Sequence, residues 1–158
     1  LRGLIAFFDM PMSNITQGDA PQQMNVGYGN FSPLVCFDIA FGEMVRKDVK
    51  SSNYIINVSN DTWFGNSFGP YQHLEISRIR SVENNIPIIR ATNDGISALI
   101  DNKGTIVDYM GKGTSGILHA KLVPTDVRTF YNQYGNLLVY LYLLVVSIKI
   151  FFVRMKNA

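Results

Sequence analysis

The stretch at residues 54–92, YIINVSNDTWFGNSFGPYQHLEISRIRSVENNIPIIRAT, decides the fold. It opens at residues 54–59 on a short apolar run, which predicts a buried strand. Residues 60–69 are polar and glycine-rich and predict a loop, which carries the only tryptophan, Trp63. Pro70 then predicts a helix start, because the first turn has no partner for the N–H that proline lacks. Leu74, Ile79, Val82 and Ile86 recur at helical spacing and are expected to form one inward stripe. Pro87 ends the helix, and residues 88–92 (IIRAT) predict the next strand. Strand, loop, helix and strand in this order make up the building unit of an α/β domain.

Reading outward gives the same class. Residues 31–37 form an apolar run expected to be a strand. Residues 40–49 predict a short helix with Met44, Val45 and Val49 on its inner face. Downstream, two apolar runs at 96–100 and 105–109 flank Asp101-Asn102-Lys103-Gly104, a hairpin signal. Residues 116–122 predict a further strand. Residues 1–30, rich in Gly, Pro, Asn and Gln, read as a loop-dominated segment. The expectation is an α/β domain with a mixed sheet, whose strand-end loops are where such sheets bind ligands.

Composition narrows the function classes. The chain has 158 residues, enough for one domain with a core, and a formal net charge of +2 without a Lys/Arg-rich block, so no nucleic-acid partner is expected. One cysteine excludes an intramolecular disulfide. With only His73 and His119 beside it, no metal site is expected, and no cofactor. Residues 136–154 are almost wholly apolar, with Lys149 the one interior charge. The run is long enough for a membrane-spanning helix, which needs roughly 17–25 residues, and Lys149 lies close enough to its end to snorkel. Lys149, Arg154 and Lys156 cluster on the C-terminal side, which is therefore expected to face the cytoplasm, with the preceding domain on the opposite face. The expected organisation is a domain over 1–135, a membrane helix over 136–154 and a short basic cytoplasmic tail over 155–158. The chain begins with Leu1 and carries no signal peptide, so it is expected to be the C-terminal piece of a longer protein.

Cys36 lies in SPLVCFDIAFGE, residues 32–43, at a strand end shortly before a helix. That placement is shared with nucleophile elbows, although G-x-S-x-G is absent. Helix N–H groups there would favour a thiolate and could face an oxyanion. A lone cysteine in an apolar run is more often a small buried hydrophobe, so residue chemistry alone leaves both readings open. Nearby partners are Asp38, Glu43 and His73. His73 is read first as a surface or satisfied core histidine, and Lys47 as a solvated charge. Arg80, Glu83 and Arg90 are expected in structural ion pairs.

Three segments carry a wider pattern: FDMPM at residues 8–12, VCFDIAFGEMVR at 35–46, and the 57–101 stretch beginning NVSNDTWFG and ending TNDGISALID. Together they resemble the apolipoprotein N-acyltransferase family, membrane enzymes with a nitrilase-like (carbon–nitrogen hydrolase) domain. The resemblance implies an α-β-β-α sandwich, of which this chain would be the C-terminal half, followed by one transmembrane helix. It implies a Glu–Lys–Cys triad in which Cys36 matches the nucleophile and the Glu and Lys lie upstream of Leu1. An isolated fragment would then be inactive. Acyl transfer from a phospholipid, through a cysteine thioester, to the amine of a diacylglyceryl-cysteine at a lipoprotein N-terminus is the implied reaction. The implied location is the bacterial inner membrane, with the catalytic domain on the periplasmic side. Phe37 and Asp38 stand where the family usually has Tyr and Glu, and Glu43 matches an acidic residue of the cysteine motif. Asn60, Asp61, Trp63, Phe64 and Gly65 match its SNDxWFG loop and Tyr71-Gln72-His73 its Trp-Gln-His motif. Gly95 matches TNNG, with Asp94 replacing the second Asn, and is expected to serve a tight turn. A membrane-tethered amidase and an inactive truncated module are the alternatives.

Overall fold

A computed structural model describes residues 22–27 and 29–156. The FDMPM segment lies outside the described residues. In chain order the elements are β1 (Met24–Asn25), β2 (Asn30–Val35), a 3-10 turn (Cys36–Ala40), α1 (Gly42–Asp48), β3 (Tyr54–Asn60), a second 3-10 turn (Asp61–Phe64), α2 (Gly69–Asn84), β4 (Ile88–Asn93), β5 (Ser97–Ile100), β6 (Ile106–Met110), α3 (Phe130–Tyr134) and α4 (Leu137–Lys156). They build one mixed sheet in the order β1-β2-β3-β4-β5-β6. Strands β2, β3 and β4 are parallel, joined through α1 and α2, while β1, β5 and β6 run antiparallel to their neighbours. This is the expected α/β class, and the hairpin falls where its turn residues place it.

The two faces of the sheet differ. Strand alternation turns Leu34, Ile55, Ile88, Ala98 and Ile100 toward the helices, where they join Val45, Val49, Leu74, Ile86 and Ile96 in one core. Ile55, Ile88 and Ile100 are paired side by side and fully buried, and each contributes about 1.5–3 kcal/mol by leaving water. On the opposite face Val35 and Val58 are adjacent and 61% and 46% exposed. Among the described residues this apolar face is left open.

The expected inward stripe of α2 is overturned. Ile79 and Val82 are each 51% exposed, and the covered side runs through His73, Leu74, Ser77, Ser81 and Asn84. That side is mostly polar and small, so hydrophobic periodicity pointed away from it. Ile86 is buried, but it lies beyond the helix, after a left-handed Asn85 cap. The hairpin turn sits on the outer side instead: Arg78 donates to the Gly104 carbonyl at 2.8 Å, and a Cβ on Gly104, whose φ is +78°, would lie 2.7 Å from Val82. Residues 116–122 are not a strand. They meet no ladder partner, and single side-chain contacts hold the connection, Tyr54 to the Leu122 carbonyl and Asn53 to Asp126.

Helix α4 has 20 residues, a mean hydropathy of 2.1, and no part of it buried against the domain. At about 1.5 Å per residue it matches the ~30 Å hydrocarbon core of a bilayer. It follows α3 after only Gly135 and Asn136.

Candidate active site

Cys36 leaves the C-terminal end of β2 with φ at +53°, the left-handed region. A non-glycine residue is held there only when its surroundings over-determine it, and here they do. Asp38 accepts from the Val35 N–H at 3.0 Å, closing the turn across Cys36 from the sequence side. From the core side, the Cys36 carbonyl accepts two hydrogen bonds, from Asn57 Nδ2 at 3.2 Å and from His73 Nε2 at 3.2 Å.

Behind these donors lies a buried ion pair. Arg90 Nη2 is 2.8 Å from Asp61 Oδ2, with both side chains fully buried. Arg90 also donates to Asn57 Oδ1, to Ser77 Oγ at 3.4 Å and to the Ile96 carbonyl at 3.3 Å. Asp61 Oδ1 accepts from Ser59 Oγ at 2.6 Å and lies 3.0 Å from His73 Nδ1. A carbonyl oxygen only accepts, so Nε2 of His73 carries a proton at Cys36; Nδ1 donates to the Asp61 carboxylate only when the ring is protonated. Burial, then the Arg90 guanidinium, push the His73 pKa below the ordinary histidine value, against the pull of Asp61 and the Cys36 carbonyl. Burial likewise lowers the Arg90 pKa, which Asp61 and Cys36 oppose.

The structure brings some of the expected site residues together. His73 is the satisfied core histidine, bonded to the backbone of Cys36 rather than to its sulfur. Phe37 is half exposed, its ring 5.7 Å from that of His73. Asn60 ends β3, accepting from the Thr62 N–H at 3.3 Å and from Asn93 at 3.2 Å. Trp63 is 86% exposed. The packed aromatic of that turn is its neighbour Phe64, whose ring sits 5.9 Å from His73. Glu43 is held apart on α1 by Arg46 at 2.7 Å and Lys47 at 3.5 Å. Arg46 keeps its carboxyl down at about 2. Together with Arg46, Tyr134, Gly135, Asn136 and Tyr140, Glu43 lines a separate cavity of about 340 Å³ beside the start of α4.

The expected ion pair of Arg90 is present, but residue reading missed its partner Asp61, and it missed Asn57. The available signal was a polar residue inside each of two apolar runs, YIINVS and IIRAT. Of the other expected pairs, Arg80 does meet Glu83. Gly95 lies in the short turn between β4 and β5, whose left-handed residue is Asp94 with φ +50°. Gly95 is needed because a Cβ there would stand 2.4 Å from Asp61 Oδ2.

A cysteine fixed in a left-handed turn at a strand tip, over a satisfied polar core, is an arrangement able to present a thiol. The sequence profile of the carbon-nitrogen hydrolase family matches residues 7–132. The chain belongs to the carbon-nitrogen hydrolase family. Solved structures share its fold. Nit3 of Saccharomyces cerevisiae, described as a member of branch 10 of the nitrilase superfamily, aligns with a TM-score of 0.54 at 23% identity, over 64% of this chain and 40% of its own. An amidase from Nesterenkonia sp. AN1, solved as a variant showing Michael addition of acrylamide at its active-site cysteine, aligns at 0.52 and 24% identity, over 62% and 41%.

Sequence relatives are nearer. Apolipoprotein N-acyltransferase of Vibrio parahaemolyticus is 42% identical over 138 residues, 86% of this chain and 27% of the relative. That of Haemophilus influenzae is 39% identical over 163 residues, 99% of this chain and 31% of the relative. The chain thus spans between a quarter and a third of the length of these carbon-nitrogen hydrolase relatives.

Proposed function

We propose that this chain is the C-terminal part of an apolipoprotein N-acyltransferase and that Cys36 is its acyl-carrying nucleophile. The Cys36 thiolate attacks the ester carbonyl of a phospholipid. The tetrahedral oxyanion collapses, the carbon–oxygen bond to the glycerol breaks, and the lysophospholipid alkoxide takes up the proton that the thiol gave up. The α-amine of a lipoprotein's diacylglyceryl-cysteine then attacks the thioester, forming an amide and returning the thiol. Splitting the transfer in two avoids one difficult direct step. The glutamate and lysine that complete such a triad belong to the family pattern upstream of Leu1, and neither role falls to Glu43 or Lys47. Phe37, Asp38, Asn60, Trp63 and His73 shape or support the site, and Glu43 supports it from the membrane side.

One observation carries this reading above that of an amidase acting on small soluble amides. A 20-residue apolar helix with no buried residue leaves the domain two residues after α3, which would hold the site at a bilayer surface, where both lipid substrates reside. Positive charge at Arg154 and Lys156 orients that helix with its C-terminus in the cytoplasm and the domain on the outer face of the inner membrane. The proposed boundaries are a partial hydrolase domain over 1–135, the span over 136–154 and a basic tail over 155–158. The isolated chain is expected to be inactive, because among the described residues no layer covers the apolar outer face of its sheet.

Mass spectrometry of Cys36 tests the reading. In the full-length protein, incubation with phospholipid should leave a fatty acyl adduct on Cys36, lost in Cys36→Ser and discharged by a diacylglyceryl-cysteine peptide. Release of free fatty acid alone, with none reaching the peptide amine, would instead establish a hydrolase.

A further inference from the structure

Four side chains and one carbonyl close a circuit. Asn57 donates to the Cys36 carbonyl, Arg90 donates to Asn57 and pairs with Asp61, Asp61 meets His73, and His73 donates back to the same carbonyl. Each of the four side chains is at most 1% exposed. Building stability alone would not call for this. A buried ion pair replaced by apolar side chains of similar size is often no worse for stability, and on the inner face of β3 and β4 the circuit follows directly on the aliphatic pair Ile55 and Ile88. What it does uniquely is place two donors on one oxygen, that of the residue in the left-handed turn.

Peptide planarity turns this into a statement about the site. The described residues contain no cis peptide, so the Phe37 N–H points opposite to the Cys36 carbonyl. With the carbonyl held inward by Asn57 and His73, that N–H is held outward, on the side away from the buried circuit. We infer that His73 and Asn57 are positioning residues for Cys36, locked by the Arg90–Asp61 pair, and that they fix the peptide whose N–H meets the oxyanion of the acyl-transfer step. The inference rests on the reading of Cys36 as an acyl carrier. His73 acts here through the backbone, neither as a base nor on the sulfur.

Two probes separate positioning from folding. Acylation of Cys36 by a p-nitrophenyl fatty ester passes through an oxyanion, whereas alkylation by iodoacetamide does not. The stereochemistry of His73 supplies the variants: a glutamine amide reaches the place of Nε2, and an asparagine amide that of Nδ1. In the full-length protein, His73→Asn should lower ester acylation by about tenfold or more, as loss of an oxyanion donor does, while alkylation changes little. His73→Gln should recover most of the ester rate. Equal ester rates in His73→Asn and wild type, or a parallel fall of both probes, would overturn the inference. Wild-type Cys36 that accepts the ester but never a phospholipid acyl chain would remove the proposed function and leave positioning standing. A wild-type Cys36 that alkylates but accepts neither donor would remove both.

Discussion

One face of one sheet has two different ends. Toward the start of the parallel strands, Ile55, Ile88 and Ile100 pair across three strands with no polar atom among their side chains. Two residues further along, the same face carries Asn57 and Arg90, joined by Asp61 and His73. Both ends are buried to the same degree. The aliphatic end is non-directional, and many apolar sets of similar volume would fill it. The polar end is directional, and it costs stability unless every member keeps its partner. A fold that only needed a core would extend the first end. The second lies under the turn at Cys36, and that is where direction is needed.

The largest effect expected from breaking this contrast comes from the ion pair. Arg90→Met leaves the Asp61 carboxylate buried without its partner and should cost about 3–5 kcal/mol of stability, read as a fall in the thermal midpoint. Adding Asp61→Leu should restore much of that stability, since no buried charge is then left unpaired, without restoring ester acylation of Cys36. Recovery of both would show that the circuit serves folding alone. Ile88→Ala, at the aliphatic end, should cost about 2–5 kcal/mol yet leave acylation per folded molecule unchanged. Gly95→Ala comes next. Its new methyl meets a carboxylate tied down by Arg90, and overpacking of this kind costs about 1–3 kcal/mol. Denaturant midpoints order these variants, and Gly95→Ala should lower acylation as well, because it presses on Asp61.

The sequence was legible where signals are local. The α/β order, the hairpin at residues 101–104 and the strand-tip position of Cys36 all follow from runs, prolines and turn residues. Where the decisive partner is distant, it was not. Arg90 lies 29 residues from Asp61, and no spacing rule joins a loop aspartate to a strand arginine. Helix α2 misleads for the same reason: its buried side is chosen by the polar circuit, so its apolar residues Ile79 and Val82 mark the outer side. Within the SNDTWFG loop the 3-10 turn, not residue type, decides that Phe64 packs while Trp63 is exposed.

The smallest expected effect is an acid dependence confined to the polar end. His73 is faced by Asp61 from the turn after β3, by Arg90 from β4 and by the Cys36 carbonyl from the tip of β2. Its pKa in the folded protein lies below the ordinary value of 6.5, chiefly through burial. The unfolded chain therefore takes up this proton first, so the contribution is complete above pH 6.5 and declines as the pH falls toward the folded value. One proton can change stability by at most about 1.4 kcal/mol per pH unit. Glu43 acts in a lower window. Its carboxyl is held down to about 2, first by Arg46, so its share is present above 4.5 and lost between there and 2. Thermal midpoints measured from pH 7.5 to 5 should fall more steeply in wild type than in His73→Gln, which has no proton to gain. Ile88→Ala should keep the wild-type slope from a lower starting point. Equal slopes in wild type and His73→Gln would mean that His73 titrates alike in the folded and unfolded chain, and the polar end would then lose the one property that separates it from the aliphatic end in mild acid.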